Sequence, residues 1–107
     1  MSLDVYLEKM VLSAVYSDNI THNLGKMAQE AGLYDALWRP EENGLQVAAD
    51  LIPILEAGLA RLRANPEIYE QFNPPNGWGN YVGLVTFVRD YLDACKQHPD
   101  ALVRSCR

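Results

Sequence analysis

Polar side chains that can do chemistry are crowded into one short stretch of this chain. Two carboxamides, a hydroxyl and an imidazole precede a predicted helix, on Asn19, Thr21, His22 and Asn23. The first N–H groups of a helix are unpaired and its dipole is positive there, so an anion or a carbonyl oxygen can bind. His22 would then act as an acid–base group or as a donor. The simpler interpretation is helix capping beside one structural histidine.

Each tryptophan of the chain stands next to a predicted helix break. Trp38 precedes Arg39 and a proline, and Trp78 lies between two glycines in the proline-rich segment 73–81. If the two segments meet near His22, they form an aromatic-lined, partly polar cleft. If they do not meet, both indoles are core anchors, which is the commoner place for tryptophan. For Trp78 the sequence favours a plug into the core over the lip of a binding site.

The other reactive side chains form no known catalytic or metal-binding pattern. His22 and His98 are the only histidines and lie far apart, and no Cys-x-x-Cys or His-x-x-x-His spacing occurs. We therefore predict no metal and no cofactor. Cys95 falls on the apolar face of a predicted helix, which indicates a buried thiol, and Cys106 is near the chain end. Both are predicted to be reduced, in a cytoplasmic protein.

Composition bounds the class of protein. With 107 residues, 49% of them hydrophobic, the chain predicts a single domain over residues 1–107. Nine basic residues against 14 acidic ones give a formal charge of −5, which argues against direct nucleic-acid binding. No apolar run reaches the roughly 20 residues of a membrane span.

The chain ends carry the patterns that are typical of strands. Apolar and polar residues alternate over 2–8, which predicts a strand with one buried face. The apolar run over 10–16 favours a second strand, and residues 101–106 favour an edge strand that returns beside 3–7. Such an edge permits a weak homodimer by strand pairing, although a monomer is equally compatible.

Between the chain ends the pattern changes to a helical period. Gly32 and Pro40 end two short helices, Pro53 predicts either a kink or a helix that restarts near Asp50, and Asn80 is placed to cap the last helix. The predicted helical segments are 21–31, 33–39, 45–64, 68–72 and 81–97. We therefore predict an α+β domain with three to five helices packed on a small sheet formed by the N- and C-terminal strands. An all-α bundle is the alternative.

Three motifs resemble those of an uncharacterised family of small proteins from bacteria and their phages. They are NITHNL from Asn19, LWRPEE from Leu37 and NGWGNY from Asn76, and the resemblance covers 2–107. Longer members carry an insertion after the first strand, sometimes with paired cysteines, which this chain lacks. The resemblance implies no particular reaction, substrate or cofactor.

The leading hypothesis is a non-enzymatic binding protein that recognises a protein partner or a small ligand. Its predicted site residues are Asn19, Thr21, His22, Asn23, Trp38, Arg39, Trp78 and Tyr81. One alternative is an acidic inhibitor of the phage or mobile-element type that imitates nucleic acid. Another is a small enzyme that uses His22 as acid–base and the helix start as an oxyanion or phosphate site.

Overall fold

The computed structural model describes residues 2–9 and 13–107, which form strands at both chain ends and helices between them. In chain order the elements are β1 (Ser2–Lys9), β2 (Ser13–Thr21), α1 (Gly25–Glu30), α2 (Tyr34–Trp38), α3 (Ala48–Ala64), α4 (Pro66–Glu70), α5 (Tyr81–Gln97) and β3 (Leu102–Cys106). Short 3-10 helices span His22–Leu24 and Pro40–Asn43. The predicted α+β class is confirmed, and the all-α alternative is wrong.

The three strands form one antiparallel sheet in the order β2-β1-β3, so the two chain ends meet in it. Asp4 of β1 pairs with Asn19 on one side and with Cys106 on the other. Because successive side chains alternate, Leu3, Val5 and Leu7 point into the core and are fully buried. On the opposite face of β1, Asp4, Tyr6 and Glu8 are partly exposed.

The second strand differs from its prediction. It runs to Thr21, five residues beyond the predicted end at 16, and residues 10–12 of the predicted segment lie outside the described residues. Ser17, Asp18 and Asn19 look like helix caps in sequence, but pairing with β1 draws them into the sheet. Burial of Ile20 against the core supports that pairing. Here tertiary pairing outweighs a local capping preference.

Two glycines allow the segment between α1 and α2 to pack closely against α3. The helix ends at Gly32 as predicted, with φ +76°, and Leu33 N donates to Ala28 O at 2.8 Å in a Schellman motif. A Cβ on Gly58 of α3 would lie 2.2 Å from Leu33 Cδ2. The α1–α2 connection therefore packs directly on the α3 backbone.

The longest helices follow their predictions with one shift. α3 begins at Ala48 rather than at 45, and Asp50 Oδ2 accepts from the backbone N–H groups of Gln46 and Val47. The helix therefore starts near Asp50, and Pro53 lies in its second turn. α5 has the predicted bounds, and Asn80 Oδ1 caps it by accepting from Gly83 N at 2.8 Å. Within the described chain, every helix is too short or too polar to cross a bilayer.

Candidate functional site

The end of β2 and the loop at 73–80 are in direct contact. Thr21 Oγ1 accepts from Asn23 N at 3.3 Å and caps the first 3-10 helix. Gly79 has φ +96°, and a Cβ there would lie 2.7 Å from Thr21 Cγ2 and 3.0 Å from Leu24 Cγ. The absence of a side chain at Gly79 therefore lets the loop backbone close on the strand end.

A tight turn holds Trp78 in position. Gly77 has φ +77° and its N–H donates to Pro74 O at 3.2 Å. Asn76 Oδ1 accepts from Trp78 N at 3.0 Å, an Asx-type turn. These bonds, together with the Gly79 contact, fix the backbone from which the indole projects.

The two segments enclose an open hollow of about 830 Å³, called here the Thr21–Trp78 hollow. It is lined by Ser2, Asn19, Thr21, His22, Asn23, Asn76 and Trp78. Each of these side chains carries a hydrogen-bonding group, and none of them belongs to Lys, Arg, Asp or Glu. Trp78 is 70% exposed, so its ring is available to a ligand.

Trp38 lies beneath the hollow and orients one of its walls. Its Nε1 donates to His22 Nδ1 at 2.7 Å, and its ring stacks on Tyr34 with centroids 5.2 Å apart. An indole N–H can only donate, so Nδ1 of His22 carries a lone pair and the neutral ring has its hydrogen on Nε2. His22 therefore offers a donor from its other nitrogen.

The two tryptophans have opposite surroundings. Trp38 is 3% exposed, which agrees with the core interpretation, whereas the plug predicted for Trp78 is wrong. The physical reason is that the Gly79 backbone, rather than the indole, fills the space against Leu24. Positive φ angles on both sides of Trp78 turn the ring outward.

Besides Trp38, two further predicted site residues, Arg39 and Tyr81, lie outside the hollow. Arg39, which follows α2, forms an ion pair with Glu42 at 2.8 Å. Tyr81 begins α5, and its hydroxyl donates to Leu62 O at 2.5 Å, which ties α5 to the end of α3. Tyr81 therefore belongs to the scaffold around the site, and Arg39 to a surface ion pair.

Asn19 contributes to the hollow from the strand and not from the helix start where it was expected. Its backbone N–H donates to Asp18 Oδ1 at 2.8 Å, and the residue lines the hollow. The helix start itself is short, with three residues in the 3-10 helix and six in α1. Few peptide dipoles add there, so the predicted oxyanion or phosphate site has little support.

Sequence reasoning missed Ser2 and Asn76. Ser2 of β1 pairs with Thr21 of β2, so the two residues are neighbours in the sheet. The signal that could have identified Ser2 is the alternating pattern of residues 2–8, once that strand is paired with the strand that contains Thr21. Asn76 belongs to the NGWGNY motif but is not among the predicted site residues. Its amide lines the hollow at the same time as its oxygen closes the turn.

A second, smaller hollow of about 460 Å³ lies between β2 and α5. It shares Asn19 and Thr21 with the first one, and its apolar lining includes Ile20, Leu24 and Phe87. The Thr21–Gly79 contact lies where the two hollows adjoin.

The described residues offer the site no activated thiol or metal-binding cluster. Burial raises the pKa of Cys95 to about 12, so its thiol stays protonated near neutral pH. No group of three or more His, Cys, Asp or Glu side chains within 2–9 and 13–107 is arranged to hold a metal ion.

Comparison of the chain with protein-family models, curated proteins and solved structures finds no match.

Proposed function

We propose that this chain is a non-enzymatic binding protein that takes a small ligand, or a side chain of a protein partner, in the Thr21–Trp78 hollow. The main observation in support is the exposed indole of Trp78. Its loop is held by the hydrogen bond to Asn76, and polar side chains line the hollow beside it. Burying a large apolar side chain contributes about 1.5–3 kcal/mol, which a ligand would recover by covering this ring.

The hydrogen bond at His22 favours binding over acid–base catalysis. A general base needs a free lone pair, and Nδ1 of His22 is engaged by Trp38. The remaining N–H of the neutral ring is a donor that can orient a ligand. The small-enzyme alternative therefore has less support than the binding proposal.

The acidic-inhibitor alternative also has less support. An imitation of nucleic acid needs a row of unneutralised negative charges, whereas many acidic side chains here pair with cations. The paired ones are Glu8, Glu30, Glu41, Glu42, Glu56, Asp90 and Asp100. They are spread from β1 to the segment after α5, which does not favour one acidic face.

We place the protein in a reducing cytoplasm, where the free thiols of Cys95 and Cys106 would stay reduced. From the motif resemblance, we also propose that the chain is related to the small bacterial and phage proteins with these motifs. A monomer needs no further surface. The weak homodimer was predicted at the edge strand 101–106, but the outer edge of β3 is bonded to Gln46 and bridged to Val47, so strand pairing between copies would use β2, the other edge of the sheet.

The test is a small-molecule screen by NMR on isotope-labelled protein, with Trp78→Ala and Val82→Ala as matched variants. Val82 is 67% exposed and lies outside the hollow, so it controls for loss of exposed apolar surface. We expect hits that shift the Trp78 indole signal, lose affinity in Trp78→Ala and keep it in Val82→Ala. Hits confined to other surfaces, or unfolding of Trp78→Ala, would contradict the proposal.

A further inference from the structure

The lining of the Thr21–Trp78 hollow points to one class of ligand, and this inference rests on the proposed function. We propose that the hollow binds a neutral saccharide, with a sugar ring stacked on Trp78 and its hydroxyls bonded to the surrounding carboxamides. The volume of about 830 Å³ falls within the range of small-ligand sites.

The first argument is charge. No Lys, Arg, Asp or Glu is among the side chains that line the hollow, and the whole chain carries a formal charge of −5. A phosphate or carboxylate ligand would find no cation to pair with and would be repelled by the overall field. An uncharged ligand meets neither obstacle.

The second argument is the exposed indole. Trp78 is 70% exposed, and its backbone is fixed by the bond to Asn76 and by the neighbouring Gly79 contact. An aromatic face is electron-rich, so it attracts the slightly positive C–H groups that cover one side of a sugar ring. Because the loop is already ordered, a ligand would spend little free energy on fixing it.

The third argument is the hydrogen-bonding set. The carboxamides of Asn19 and Asn23 make no hydrogen bond with other described residues, and each offers donors and an acceptor. Asn76 keeps its NH₂ group while its oxygen is used by the turn, and His22 adds an N–H donor. Hydroxyls donate and accept at once, so neighbouring hydroxyls of a sugar match this mixture.

The experiment titrates labelled full-length protein with four sets of probes and follows the Trp78 indole and the Asn19 and Asn23 side-chain NMR signals. The probes are neutral hexopyranosides and N-acetylhexosamines with their short oligomers, the matching uronic acids, nucleosides, and uncharged tripeptides. We expect saturable shifts with a neutral saccharide at about millimolar concentration, typical of a single stacked ring. The matching uronic acid should bind no more tightly than the neutral sugar.

Variants connect the shifts to the hollow. Loss of the ring in Trp78→Ala should weaken saccharide binding about tenfold or more, and Trp78→Phe should restore part of it. Asn19→Asp keeps the size of the side chain but replaces donors with a negative charge, so it should also weaken binding. Val82→Ala should bind as the wild type does, and thermal melting of each variant controls for folding.

Each remaining outcome decides between the two proposals. Shifts of these signals by nucleosides or peptides, but not by saccharides, would overturn the saccharide inference and leave the binding function standing. If no probe shifts them up to about 10 mM, beyond the millimolar range of weak specific binding, the saccharide inference is wrong. The unbiased screen described above then decides the binding function separately.

Discussion

The two tryptophan segments of this protein begin from the same signal and end in opposite places. Trp38 ends α2, is 3% exposed, stacks on Tyr34 and hydrogen-bonds His22. Trp78 also stands beside a helix break, yet it is 70% exposed and contributes its ring to an open hollow. One indole supports the site from beneath, and the other forms its surface.

The difference shows that the neighbours of an aromatic residue decide its role. Trp38 lies four residues after Tyr34 in α2, so the two rings share one face of the helix and stack, and Trp38 is buried there. Trp78 is flanked by glycines with positive φ, and Gly79 makes the close contact with the strand end. A residue can therefore be exposed because its small neighbour packs in its place.

The sharpest test of this contrast compares alanine at both positions. Trp38→Ala should lower the free energy of unfolding by about 3–5 kcal/mol, since it opens a cavity and removes the partner of His22. Trp78→Ala should change it by less than about 0.5 kcal/mol. Chemical denaturation at pH 7 measures both values, and similar losses for the two variants would refute the contrast.

The role of Gly79 can be separated from the general cost of a positive φ. Gly79→Ala meets both the backbone strain and the 2.7 Å approach to Thr21, so we expect a loss of about 2–4 kcal/mol. Gly77→Ala meets only strain, because nothing lies within 4 Å of its Cβ, and should lose about 1 kcal/mol. Equal losses would show that the loop does not depend on its contact with the strand.

A smaller effect should follow from removing only the indole N–H beneath the site. Trp38→Phe keeps an aromatic ring in the core but leaves Nδ1 of His22 without its donor, which costs about 1–2 kcal/mol. Long-range NMR correlations of the His22 ring should show the Nε2–H form in the wild type and a mixture of tautomers in the variant. An unchanged tautomer in Trp38→Phe would mean that another group orients His22.

The smallest effect concerns the ion pair beside Trp38. The hydrogen bond from Arg107 lowers the pKa of Glu41, and the same guanidinium donates to Trp38 O. Because the pKa of Glu41 is lower in the folded state, its ionised form stabilises the protein at pH values above the ordinary glutamate pKa. This stabilisation is lost as the pH falls through the lowered, folded-state pKa. The wild type should therefore be more stable than Glu41→Gln at pH 7, and the difference should shrink by pH 3, as followed by thermal melting. A difference that stays constant with pH would exclude this linkage.

Much of the scaffold follows from local patterns. The alternation at 2–8, the helical period at 81–97, the cap at Asn80 and the helix end at Gly32 are all present where the sequence predicts them. These signals act over one or two turns or a few strand residues, so no distant partner is needed to interpret them. The length of β2 was missed because Ser17 to Asn19 favour a cap locally and enter the sheet only through pairing with β1.

The candidate site also has features that the sequence predicts and features that only the tertiary structure decides. The polar types at Asn19, Thr21, His22 and Asn23, and the glycines around Trp78, are legible in the sequence alone. The tertiary structure alone brings these segments together, buries Trp38, exposes Trp78 and places Arg39 and Tyr81 outside the hollow. The reason is that backbone conformation depends on residues nearby in the sequence, whereas the burial of a side chain depends on which distant segment packs against it. Here the Gly79 backbone took the place against Thr21 and Leu24 that the Trp78 ring would otherwise have filled.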